Sequence, residues 1–246
     1  VEAVAFLSSG RWLACVAEKE APKVLLWDWA QGSLLCMRLA HKEPSAVRCL
    51  HFCPQDETRF VTAGRQHFKV WRVQHDPRPV EGGPEVNGED HLMLTSRRGM
   101  FCCGAVPDVV SCVAYGPGGA LYLGTLCGAI MVCSEHLALR RIPAHDGPVL
   151  SLALTENGGL LSGGADKTVR EWREFEERDE ASETHAHDVI VALASTSDGR
   201  VLMLGVGTGN VPQAVLAGSK AEAEPAACLE FKARGIAACN EGGVQA

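Results

Sequence analysis

The chain has 246 residues, 46 % hydrophobic and 22 % charged, and its 23 Lys and Arg against 30 Asp and Glu leave a formal net charge of −7. That composition excludes a disordered chain and provides enough apolar surface for one or two packed domains. The acidic balance excludes a general nucleic-acid binder, which needs a surplus of Lys and Arg to neutralise phosphates. Twenty-six Gly and twelve Pro with 6 % aromatic residues predict frequent turns and point away from a helix bundle.

In chain order, strands are expected over Val1–Phe6, Trp12–Val16 and Lys23–Asp28, with a turn at Ser8-Ser9-Gly10. A second unit follows: Ser45–Phe52, a turn at Pro54–Glu57, Arg59–Gly64 and His67–Trp71. Gln74–Arg98, rich in Pro and Gly, reads as an inserted loop. A third unit has strands at Val109–Tyr115, Leu121–Thr125 and Ala129–Cys133, with Cys133 where the other units have Trp. The fourth is the clearest. A polar His145-Asp146-Gly147 leads into an alternating strand to Leu154, an Asn157-Gly158 hairpin, the strand Leu160–Gly164, a turn at Ala165–Lys167 and the strand Thr168–Trp172. A degenerate fifth copy runs from His187-Asp188 through Ser197–Arg200 to Val211.

Three other features have simpler readings. Eleven cysteines contain no CxxC pair, and only Cys49/Cys53 and Cys102/Cys103 lie close together, so no metal site is expected. Buried, reduced thiols of an intracellular protein are the expectation. Val109–Ser134 lacks charged residues, but Gly116-Pro117-Gly118-Gly119 divides it, which predicts two or three buried strands and no membrane span. Gly205–Gly209 precedes a turn and not a helix, so it is read as hairpin glycine and no nucleotide cofactor is expected. The acidic stretch Glu171–Glu183 reads as a solvated outer strand and loop.

Trp27 and Trp71 stand 44 residues apart, and Cys133 and Trp172 stand 39 apart. A period of about 40–45 residues is that of a four-stranded propeller blade. The units resemble WD repeats, with Trp27-Asp28 as the namesake dipeptide. Val24–Trp29, Leu94–Phe101, Ile142–Val149 and Leu160–Gly164 resemble, in order, stretches of the echinoderm microtubule-associated protein-like family. The expected fold is therefore an all-β WD-repeat β-propeller with about five recognisable blades, at 1–40, 41–98, 99–143, 144–185 and 186–219. Residues 220–246 form an Ala/Glu-rich C-terminal segment. Five units with unmatched ends predict an incomplete ring or a portion of a longer protein.

His145, Ser162 and Asp166 are the residue types of a nucleophilic triad, but no Gly-x-Ser-x-Gly elbow surrounds Ser162. The resemblance implies a structural hydrogen-bond network of His145, Ser162, Asp166 and Trp172, with Trp27, Asp28 and Trp71 closing their blades and no catalytic, cofactor or metal site. It further implies a non-enzymatic microtubule-associated scaffold in the cytoplasmic cytoskeleton, of the kind found in a ciliary or flagellar axoneme, working within a large complex. Its partners would be tubulin and other microtubule-bound proteins, not nucleic acid or membrane. The basic pairs Arg97-Arg98 and Arg140-Arg141 are the partner-binding candidates, since tubulin is acidic. A general WD-repeat adaptor presenting substrates in a ubiquitin-ligase or signalling complex is the alternative with the same fold.

Overall fold

A computed structural model describes residues 3–17, 21–42, 47–75, 92–104, 109–155, 158–173, 180–185, 189–195, 201–206 and 212–217. These residues form five antiparallel sheets. The first has β1 (Ala3–Phe6), β2 (Trp12–Ala17), β3 (Lys23–Asp28) and β4 (Ser33–Leu39) in sequence order. The second has β5 (Val47–Cys53), β6 (Asp56–Gly64), β7 (His67–His75) and β8 (Leu92–Arg98). After β9 (Met100–Phe101) comes the third, made of β10 (Val110–Tyr115), β11 (Leu121–Thr125), β12 (Ala129–Ser134) and β13 (Leu137–Pro143). β9 adds to the outer edge of this sheet, parallel to β13. The fourth holds β14 (Val149–Leu154), β15 (Leu160–Gly164), β16 (Thr168–Arg173) and β17 (Glu180–His185). The fifth holds β18 (Val189–Ser195), β19 (Val201–Val206) and β20 (Pro212–Ala217).

Packing follows from the alternation of side chains along each strand. In β2 the buried residues Trp12, Ala14 and Val16 face one way, and together with Val24 and Leu26 they pack on Leu50, Phe52, Phe60 and Trp71 of the second sheet. The other face of the second sheet, through Val61, Ala63 and Phe68, packs on Val113, Leu121, Leu123 and Met131 of the third. The third then packs through Tyr122, Ile130 and Ile142 on Val149, Leu160 and Trp172 of the fourth. Each core thus lies between two successive sheets. β11 and β15 are buried along their whole length because sheets cover both of their faces. This is the stacking of a β-propeller, and the described blades form part of one.

The innermost strands of the second to fifth sheets carry the same irregularity, whereas β1 pairs regularly with β2. The register slips between Val47 and Cys49, Val110 and Cys112, Val149 and Ser151, and Ile190 and Ala192. A bulge re-aims the residue that follows it. The Cys49 thiol thereby reaches Val110 O at 3.8 Å, the Cys112 thiol reaches Val149 O at 3.7 Å, and Ser151 Oγ accepts from the Leu193 N–H at 3.0 Å. One local device therefore ties the second sheet to the third, the third to the fourth and the fourth to the fifth.

The structure departs from two expectations. The segment Gln74–Arg98 is not all loop: Gln74 and His75 end β7, and Leu92–Arg98 is the outer strand β8, paired from His75↔Leu92 to Lys69↔Arg98. Its Pro and Gly cluster lies outside the described residues. The thiols are also not uniformly buried. Cys53 and Cys133 are, and burial pushes the Cys49 thiol up to about 12 and raises those of Cys112 and Cys133, but Cys102 and Cys127 are exposed. Cys127 falls in the tight β11–β12 turn, which turns its side chain to solvent. The uncharged stretch 109–134 forms β10, β11 and β12, and among the described residues no helix is long and apolar enough to cross a membrane.

Candidate functional site

The fourth sheet gathers four sequence-distant polar side chains into one buried network. The backbone N–H groups of Ala144 and His145 both donate to Gly128 O at 2.9 Å, which fixes His145 just ahead of β14. Its imidazole side chain is 0 % exposed. Nε2 lies 2.8 Å from Ser162 Oγ, and Nδ1 lies 3.0 Å from Asp166 Oδ1 and 3.0 Å from Thr168 Oγ1. Trp172 Nε1 donates to the same Ser162 Oγ at 2.8 Å. These distances fit an imidazole protonated at Nδ1, donating to Asp166 and accepting the Ser162 proton at Nε2.

Asp166 is the hub of the β15–β16 turn. It accepts from the Asp146 N–H at 3.0 Å, the Thr168 N–H at 3.1 Å and the Thr168 hydroxyl at 2.9 Å. Burial opposes its ionisation, but these bonds and His145 outweigh that and hold its carboxyl below the usual carboxylate range. The Ser–His–Asp distances match those of a hydrolytic triad. The surroundings differ: Ser162 is 0 % exposed and its oxygen is already bonded to the Trp172 indole. A substrate carbonyl has no path to that oxygen here. The chemistry of the arrangement is to satisfy buried polar groups and lock strand order.

The other sheets carry variants of this network. In the second, Trp71 Nε1 donates to Thr62 Oγ1 at 2.8 Å, and the Trp71 ring stacks on Phe60 with centroids 5.8 Å apart. In the first, Leu13 and Cys15 of β2 stand opposite Trp27 and Leu25 of β3. Asp28 Oδ1 accepts from the Ala30 and Gln31 N–H groups at 3.1 and 3.0 Å and closes the following turn. In the third, Leu123 and Cys133 occupy the corresponding places, and both are buried in an apolar core. Sequence reading missed His41, which repeats His145: Ala40 and His41 donate to Pro22 O just as Ala144 and His145 donate to Gly128 O. The available signal was the Ala-His dipeptide that appears at 40–41 and again at 144–145.

The His41 ring lies 4.4 Å from that of His67, which is 2 % exposed. Burial, aided by the nearby charges of His41, Lys69 and Arg98, pushes the His67 pKa down to about 4 despite its hydrogen bond to Arg65 O. An unfolded histidine titrates near 6.5. Between about pH 6.5 and about 4 the unfolded chain therefore binds a proton that the folded chain does not. Stability attributable to this group is intact above about pH 6.5 and falls towards pH 4, by at most about 1.4 kcal/mol per pH unit. Urea unfolding at pH 7.5 and pH 5 checks this: His67→Gln should flatten the difference.

The basic pairs part company in space. Arg97 and Arg98 lie on β8 and Arg140 and Arg141 on β13, the outer strands of different sheets. Arg141 Nη2 reaches the Cys127 thiol at 3.9 Å. Burial opposes ionisation of that thiol, but Thr125, Arg141 and the Ala129 N–H together hold its pKa below the usual thiol range. Arg98 is the cross-strand partner of Lys69, whose ammonium donates to Ala40 O. Arg97 instead lines a cavity of about 480 Å³ between the second and third sheets, with Arg59, Arg72, Ser96, Glu135 and His136. Sequence reading did not single out Arg59 or Arg72. Among the described residues no group of three or more His, Cys, Asp or Glu is placed to hold a metal ion.

Successive sheets stack face to face, and the fourth carries a His–Ser–Trp network anchored by a turn Asp. Residues 137–173 match the family described as WD domain, G-beta repeat. Over most of its length the chain is similar to echinoderm microtubule-associated protein-like proteins. It is 28 % identical to the rat protein-like 2 over 206 residues, which is 82 % of this chain and 29 % of the relative. It is 24 % identical to the mouse protein-like 1 over 224 residues (89 % and 25 %) and 26 % identical to the human protein-like 3 over 193 residues (70 % and 20 %). The chain thus spans about a quarter of the length of these curated relatives.

Proposed function

We propose that this chain is a docking segment of a microtubule-associated scaffold that works by binding and not by catalysis. The observation that carries the reading is the similarity to echinoderm microtubule-associated protein-like proteins along 70–89 % of the chain. The burial of Ser162 and His145 supports the non-enzymatic part, because this triad-like constellation is enclosed in a sheet interface. A scaffold of this kind belongs in the cytoplasmic cytoskeleton, including the axoneme of a cilium or flagellum, as one component of a large complex.

The net charge of −7 sets how such docking works. Like charge disfavours the acidic tails of tubulin, so contact is with the structured tubulin surface or with other microtubule-bound proteins. The outer-strand pairs Arg97-Arg98 and Arg140-Arg141 are the residues proposed to make it. Co-sedimentation with intact and with tail-cleaved microtubules tests both levels. Pelleting with each kind is expected. Binding lost on tail removal overturns the structured-surface mode, and failure to pellet with either overturns direct microtubule contact.

A further inference from the structure

We propose that the cavity between the second and third sheets receives a phosphoryl group, carried on a phosphorylated Ser or Thr side chain of a partner peptide. The register brings the positive charge together. Arg59 on β6 and Arg72 on β7 are direct cross-strand partners. Arg97 on β8 pairs with Val70, two residues from Arg72, so its side chain shares the same face one row along. Like charges directly opposite each other destabilise a sheet. An arrangement that opposes folding in this way is relieved by an anion.

The charge count selects the anion. Three guanidinium groups and one carboxylate, Glu135, line the cavity, which makes its lining +2 within a chain of net −7. Asp56, held by the Thr58 hydroxyl at 2.6 Å and the Thr58 N–H at 3.1 Å, lies near Arg59 and Arg72 and offsets part of their charge without lining the cavity. A phosphoryl group near pH 7 carries about −1.5 to −2 and presents three acceptor oxygens to the guanidinium groups, more charge and more acceptors than a carboxylate offers. Arginine forks also match phosphoryl oxygens bidentately.

The floor of the site is preorganised. Arg59 Nη2 donates to Gly119 O at 3.2 Å and to the Cys53 sulfur at 3.5 Å, and the guanidinium lies 5.7 Å over the Tyr115 ring. Arg59 Nε and His136 Nδ1 are both buried without a hydrogen-bond partner at this boundary. Arg72 and Arg97 are exposed and complete the fork from the surface side. Two observations favour a phosphorylated side chain over a nucleotide. The Trp71 ring packs on the opposite face of the second sheet and the Tyr115 ring beneath Arg59 is 3 % exposed, so neither offers a face for a base to stack on. The lining is mostly polar, unlike the apolar walls that hold a drug-sized small molecule.

The test is fluorescence anisotropy with a labelled, otherwise neutral peptide carrying one phosphoserine, alongside the same peptide with Ser or Glu at that place. The phosphoserine peptide should bind, with the Ser and Glu versions at least tenfold weaker. Arg72→Gln and Arg97→Gln should each weaken it at least tenfold, while Arg140→Gln should leave it unchanged. Arg72→Gln should not lower the thermal midpoint, since it removes one of two facing like charges. Equal binding of the Ser or Glu peptide, unchanged binding by Arg72→Gln, or binding of inorganic phosphate without the peptide would each overturn the proposal. The assay contains no microtubules, so it stands or falls separately from the docking function proposed above.

Discussion

Trp172→Ala is expected to lower the unfolding free energy by about 3–5 kcal/mol, the range for removing a large aromatic side chain from a packed core. Trp172 is 3 % exposed and packs with Tyr122, Ile130 and Ile142 of the preceding sheet, so the cavity opens between two blades and not within one. Its indole also donates to Ser162 Oγ. Two milder variants separate volume from hydrogen bonding. Trp172→Phe keeps one aromatic ring but loses the donor and part of the volume, for which about 1–3 kcal/mol is expected. Ser162→Ala should cost a similar amount, because it strands both the Trp172 N–H and His145 Nε2 in a buried setting. Urea unfolding followed by far-ultraviolet circular dichroism reads all three. If Trp172→Ala proves no more damaging than Trp172→Phe, inter-blade packing is not what this residue supplies.

Gly128→Ala is expected to be at least as disruptive, at about 3 kcal/mol or more. Gly128 has a φ of +80°, where L side chains are strained. An added Cβ would also lie 2.2 Å from His145 O and 2.8 Å from Gly147 O. Those are backbone atoms and cannot rotate away. The strand that must give is the one that places His145, and Gly128 O is itself the acceptor for the Ala144 and His145 N–H groups. Gly118→Ala is the control. Its φ of +65° imposes a similar backbone strain, but nothing lies within 4 Å of the added Cβ, so about 1–2 kcal/mol is expected. Thermal unfolding of both variants distinguishes conformational strain from collision.

Legibility varied between blades for local reasons. The fourth was plain because each turn carries its own signal and its third strand ends in Trp. The third remained readable because alternation survives even where Leu123 and Cys133 replace the polar pair, two apolar groups filling the site of two hydrogen-bonded ones. β8 was hidden because sixteen residues separate it from its partner β7, and an alternating Leu92-x-Leu94 next to a Pro- and Gly-rich stretch is too short to stand out. Of the four network residues, which the resemblance to WD repeats implied together, His145 and Asp166 lie in the segments before β14 and between β15 and β16. The matching His41 was passed over because no carboxylate follows in its turn, where Arg65-Gln66 stands instead.

The three inner strands of each of the first four blades, their turns and the acidic charge follow from the sequence alone, because each depends on local signals: hydrophobic alternation, Asn-Gly and Pro-Gly turns, and a Trp ending the third strand. What stands opposite what was decided by the tertiary structure. Strand register set Arg59 against Arg72 with Arg97 alongside, and blade stacking enclosed Ser162 and His145 beyond reach of a substrate. Both depend on contacts between residues far apart in the chain, where a shift of one position turns every side chain to the opposite face.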